Sequence, residues 1–73
     1  MSRRHFQMIA GTINRAITRE RGNTTKAAEH RREAARDMAY AFTSELRREN
    51  PRFDSDRFLA ACFAGTEFDR SVS

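Results

Sequence analysis

The feature that most limits what this chain can fold into is its single proline, Pro51, together with the residues set on either side of it. Pro51 has no amide hydrogen to donate and its ring collides with the preceding turn, so a helix carrying the run E-L-R-R-E must end by Asn50. Asp54 then offers a carboxylate to cap a new helix. Phe53 stands just before that cap, five residues from Phe58, the spacing of a hydrophobic staple. The stretch therefore dictates both a corner and the angle at which the chain leaves it. Beyond the corner, Phe58, Leu59, Cys62 and Phe63 share one side of a short helix over about 54–64, and Gly65 stops it. Such an apolar wedge needs cover from earlier in the sequence.

The cover comes from two longer amphipathic segments. Over about 3–20 the residues Phe6, Ile9, Ile13, Ala16 and Ile17 recur at spacings of three and four, the signature of a helix with one apolar face. Opposite that face project Arg4, Met8, Arg15 and Arg19. Gly22 suits the left-handed residue that ends a helix, and Asn23 or Thr24 can cap the next one. So short a link makes the two helices antiparallel. The second helix, about 24–49, reads with Ala27, Ala34, Ala35, Met38, Ala41, Phe42 and Leu46 as its apolar face. Antiparallel pairing then sets Ile17 near Ala27 and Ala28, and Phe6 near Met38 and Phe42. Arg31 falls near the middle of this face; it either snorkels past the end of the first helix or pairs with a carboxylate or a partner molecule. Glu29 with Arg32, Glu33 with Arg36 and Glu45 with Arg48 read as ion pairs on a solvated face. The third helix is expected to close the open ends of the hairpin, with Phe58, Leu59 and Phe63 against Phe6, Phe42 and Leu46. The resulting expectation is an all-α, three-helix domain over residues 1–65. Residues 66–73 form a flexible C-terminal tail unless Phe68 docks back.

Composition bounds the function more than it names it. No run approaches the ~20 apolar residues of a membrane span, and the basic start M-S-R-R is not followed by a signal-peptide core. A soluble intracellular chain is expected. The lone Cys62 allows no internal disulfide and no thiolate cluster for zinc, and no adjacent base marks it as a nucleophile. His5 and His30 are isolated, and there is no glycine-rich phosphate loop. No catalytic, cofactor-binding or metal-ligating residue is therefore assigned, and the chain is not read as an enzyme. In 73 residues a core supplies only roughly 3–5 kcal/mol of net stability, which makes self-association a reasonable expectation.

Charge is unevenly spread. The net charge is +4, and the first 22 residues hold five arginines against one glutamate, while the rest is close to balance. The arginine stripe of the first helix could neutralise several phosphates with salt-sensitive affinity. Against this, no helix after a tight turn carries Arg, Asn and Gln on one exposed face in the manner of a recognition helix. Met8 amid the arginines, and Tyr40 between Arg36 and Arg47, are residue types enriched at protein interfaces. The partner-binding expectation therefore rests on Arg4, Met8, Arg15, Arg19, Arg36, Tyr40 and Arg47. A protein partner is the first reading, a basic helical nucleic-acid binder the alternative, and a homodimer the blandest outcome.

The run N-P-R-F-D-S-D-R-F-L-A-A-C, together with the start M-S-R-R-H-F, resembles a group of small bacteriophage and prophage proteins that end close to N-P-R-F-D-x-x-R-F-L-A-A-C-G. The likeness covers Met1 to about Ile13 and Asn50 to Cys62. Where that group has glycine after the cysteine and stops soon afterwards, this chain has Phe63 and ten further residues. The resemblance implies a phage or prophage origin, a small helical fold, the bacterial cytoplasm as location, and a host or phage protein as partner, for instance a defence, replication or transcription factor. It carries no catalytic residues. Within the run, Pro51, Phe53, Asp54 and Phe58 are explained by the turn and staple, whereas Arg52 and Arg57 either pair with Asp56 or second-helix carboxylates or face a ligand.

Overall fold

The computed structural model describes residues 3–69, so the opening Met1 and Ser2 and the last four positions of the expected tail lie outside the described residues. Three helices and no strands make up these residues: α1 is Arg3–Thr18, α2 is Lys26–Glu49 and α3 is Ser55–Phe63. The all-α, three-helix expectation holds.

The corner at Pro51 forms as its chemistry requires. Asn50 caps α2 in an extended conformation, with φ −142° and ψ 100°, while its amide still donates to the Leu46 carbonyl. The Asp54 side chain accepts from the Arg57 amide at 3.0 Å, satisfying one of the free N–H groups at the start of α3. The Phe53 and Phe58 rings close the staple at 5.5 Å. At the other turn Gly22 sits at φ 81°, a region that side-chain-bearing residues avoid. The cap of α2 is Thr25, one residue later than the sequence reading; its hydroxyl accepts from the Ala28 amide at 3.2 Å. Asn23 serves instead as a brace, its side-chain Oδ1 accepting from both the amide and the hydroxyl of Thr25.

The core gathers Ala10, Ile13 and Ile17 of α1, Ala39 and Leu46 of α2, and Phe58, Cys62 and Phe63 of α3. This corrects the expected face of α2. Ala28, Ala39, Thr43 and Leu46 are its buried positions, whereas Met38 and Phe42 are 55% and 38% exposed and Ala27, Ala34 and Ala41 also face out. The physical reason is where α3 lies. It presses against one side of the hairpin and rotates the buried arc of α2 toward itself. Alanines at 28 and 39, both fully buried, then allow close helix approach where Met38 or Phe42 would not fit. The buried Thr43 hydroxyl donates back to the Ala39 carbonyl at 2.9 Å, so no polar group is stranded there.

Aromatic rings link the corner to the tail in two groups. Phe6 meets Phe53 at 4.9 Å, and Phe53 meets Phe58. Farther along α3, Phe63 contacts Tyr40 at 5.8 Å and Phe68 at 5.7 Å. Phe6 therefore packs on the corner. Phe68 does dock, and Arg36 stacks over its ring at 5.4 Å.

Candidate functional site

Polar side chains tie the hairpin to α3 and leave one broad side of it uncovered. Asn14 sits within the stripe of α1 that turns toward α3, and its amide donates to the carbonyls of Cys62 at 3.0 Å and Ala64 at 2.9 Å. Arg21 donates to the Gly65 carbonyl at 3.1 Å. Together they satisfy carbonyls that the end of α3 would otherwise leave open. Arg32 joins three segments: Nε to Glu67 at 2.7 Å, and Nη1 to the carbonyls of Glu20 and Asn23 at 3.2 and 2.9 Å. It does not pair with Glu29, nor Arg36 with Glu33. Arg36 bonds Asp37 instead, and of the three expected helical pairs only Glu45 with Arg48 is present, at 3.6 Å. Arg31 takes the carboxylate alternative, gripping Glu20 at 2.6 Å. Its guanidinium holds the Glu20 carboxyl below the usual value of 4.5.

The positions singled out from sequence divide between two sides of the molecule. On α1, Phe6 and Asn14 turn toward α3, so at about 100° per residue Arg4, Met8, Arg15 and Arg19 project the other way. All four are exposed, Met8 by 59%. No salt bridge engages Arg4, Arg15 or Arg19 among the described residues. On α2, Arg36 and Tyr40 lie on the opposite, α3-facing side. Tyr40 is 41% exposed, but its ring rests on Phe63, which gives it a packing role. Arg47 is exposed and follows Tyr40 by seven residues, on the same side of the helix. Met38 and Phe42, which the sequence reading buried, stand two residues from Tyr40 in either direction and so emerge on the side of α2 turned away from it. The four large exposed apolar side chains thus divide, Tyr40 resting on Phe63 of α3 and Met8, Met38 and Phe42 turned away from α3.

Cys62 is fully buried, and burial pushes its thiol up to about 11, away from the reactive thiolate. Among the described residues no group of His, Cys, Asp and Glu could hold a metal ion, and no helix is long and apolar enough to cross a membrane.

Besides a recess of about 270 Å³ between Tyr40, Leu59, Phe63 and Phe68, two others of different character lie among the described residues. One, of about 260 Å³ between Glu20, Arg21, Arg32 and Thr66, is lined by groups already bonded to one another. The other, of about 420 Å³, opens where the start of α1 meets the corner before α3. Its apolar lining is Phe6, Ala10, Phe53, Phe58 and Ala61, and its charged lining is Arg3, Arg52, Arg57 and Asp54. No protein family, curated protein or solved structure matches the chain.

Proposed function

We propose that this chain is a small accessory protein of phage type that acts without catalysis, by binding another protein through the uncovered side of its helical hairpin. The observation that carries this reading is the exposure of Met8, Met38 and Phe42, by 59%, 55% and 38%, on helix faces turned away from α3, with Arg4, Arg15 and Arg19 on the same face of α1 as Met8. An apolar centre with a basic margin fits a protein surface that offers an apolar contact ringed by carboxylates, in a host or phage protein of the defence, replication or transcription machinery. Charge at the margin would govern the encounter rate, and the apolar side chains would govern how long the complex lasts.

A second reading has support of its own. Arg4 and Arg15, which no salt bridge engages among the described residues, give the electrostatic footprint of phosphate binding. Met8 and Phe42 favour the protein reading, because a phosphate backbone gains nothing from an exposed thioether or phenyl ring.

The test compares capture by the intact chain with capture by Phe42→Asp and Arg15→Glu, two changes at exposed positions that should leave helicity unchanged. Capture of one protein of defined mass from bacterial lysate, lost with either variant, supports the reading. Capture that survives both variants contradicts it. Binding to random-sequence DNA that falls steeply with salt and is lost with Arg15→Glu but not with Phe42→Asp would move the function to the second reading.

A further inference from the structure

The fold accounts for Pro51, Phe53, Asp54 and Phe58, but not for the two arginines set among them. Neither Arg52 nor Arg57 pairs with Asp56 or with a carboxylate of α2; their backbone amides bond Asn50 and Asp54, and their guanidinium groups make no hydrogen bond or ion pair among the described residues. Arg3, from the start of α1, is in the same position. All three line one cleft of about 420 Å³, a volume in the range of small-molecule sites. The lone carboxylate of the cleft, Asp54, is already spent in part on the cap of α3. Three like charges gathered from two separate segments repel one another. All three share that cleft with a lining of phenylalanine rings, and no hydrogen bond or ion pair of the fold among the described residues uses their guanidinium groups.

We propose that this cleft binds a small amphipathic anion, a carboxylate or phosphate monoester carrying an aromatic or branched apolar group. The apolar group would lie against Phe6, Phe53 and Phe58, whose rings already form a continuous surface at 4.9 and 5.5 Å spacing. The oxyanion would face the guanidinium forks of Arg3, Arg52 and Arg57, whose planar paired donors match carboxylate and phosphate oxygens. The cleft lies on the α3-bearing side of the molecule, so the proposal is independent of the protein-binding surface on the other side.

The experiment is an NMR titration of the full chain with four probes: N-acetylphenylalanine, phenyl phosphate, the uncharged N-acetylphenylalanine amide, and inorganic phosphate. The expected result is saturable shifts centred on Phe53, Phe58 and Ala61 with one or both amphipathic anions. The uncharged amide and inorganic phosphate should bind at least about tenfold more weakly, since each lacks half of the recognition. Whichever anion saturates first identifies the oxyanion. Arg57→Gln and, separately, Arg52→Gln alter exposed residues and should each weaken that anion by about tenfold with the spectrum otherwise retained. Absence of saturable shifts with both anions, equal binding of the uncharged amide, or shifts centred on Arg15 and Arg19 would each overturn the proposal.

Discussion

The two broad sides of the α1–α2 hairpin are chemically unlike, and the difference does not follow from hydrophobicity alone. The side covered by α3 buries phenylalanines, isoleucines and alanines and is pinned by Asn14, Arg21 and Arg32 to the end of α3 and the segment after it. The uncovered side leaves Met38 and Phe42 of α2 in water while the far smaller Ala39 beside them is fully buried. Burial in so small a protein is decided by where the third helix comes to rest, and that is fixed by the corner at Pro51. A large apolar residue can be stranded outside when its helix is turned to suit a neighbour.

The largest expected effect sets the two sides against each other directly. Phe58→Ala should cost about 3–5 kcal/mol, because it opens a cavity under the staple, and in so small a domain that is enough to unfold most molecules at room temperature. Phe42→Ala should cost about 0.5 kcal/mol or less, the usual range for an exposed position. Urea denaturation followed by circular dichroism checks both, and comparable costs would erase the distinction. Next in size, Asn14→Ala should lose about 1–2 kcal/mol, since two carbonyls at the end of α3 lose their donor. Amide hydrogen exchange should then rise in the last turn of α3 before it rises in α2.

The smallest effect concerns pH. The Arg31 hydrogen bond lowers the Glu20 carboxyl below its ordinary 4.5, so its contribution is complete above that value and is lost as pH falls through the lower folded-state value. The Arg31 side chain is 55% exposed, so water screens the pair and the change should be slight, and Arg31→Ala should abolish it. Stability profiles from pH 6 to pH 2 for the two chains, parallel throughout, would show that the pair contributes nothing.

The corner, the cap of α3 and the staple were legible because each depends on residues within five positions of one another and on chemistry that permits few alternatives. The face of α2 was not. Alanines at 27, 28, 34, 35, 39 and 41 spread over nearly half the circumference of that helix, so periodicity left its rotation loosely set and drew weight toward the bulky Met38 and Phe42. What settles the rotation is a contact with α3, distant in sequence. Arg32 was misassigned for a related reason, since a nearby glutamate at helical spacing gave no hint that Glu67 would reach it. Asn14 did leave a signal that went unread: an amide among Ala10, Ile13 and Ile17, in a stripe that otherwise buries apolar groups, must find partners of its own. As for the candidate surfaces, the arginine stripe with Met8 was visible from spacing, whereas the apolar half of the uncovered side and the three-arginine cleft depend on how the helices are brought together.

The central claim, that α3 covers one side of the hairpin and leaves the other bare, is tested most directly by the oxidation of Met8 and Met38 with dilute hydrogen peroxide, read residue by residue by mass spectrometry in native and denaturing buffer. Both thioethers should oxidise in the folded chain within about twofold of their denatured rates, as freely solvated methionines do. Protection of Met38 by an order of magnitude or more in the folded chain would mean that this face of α2 is buried, and would contradict the packing described above.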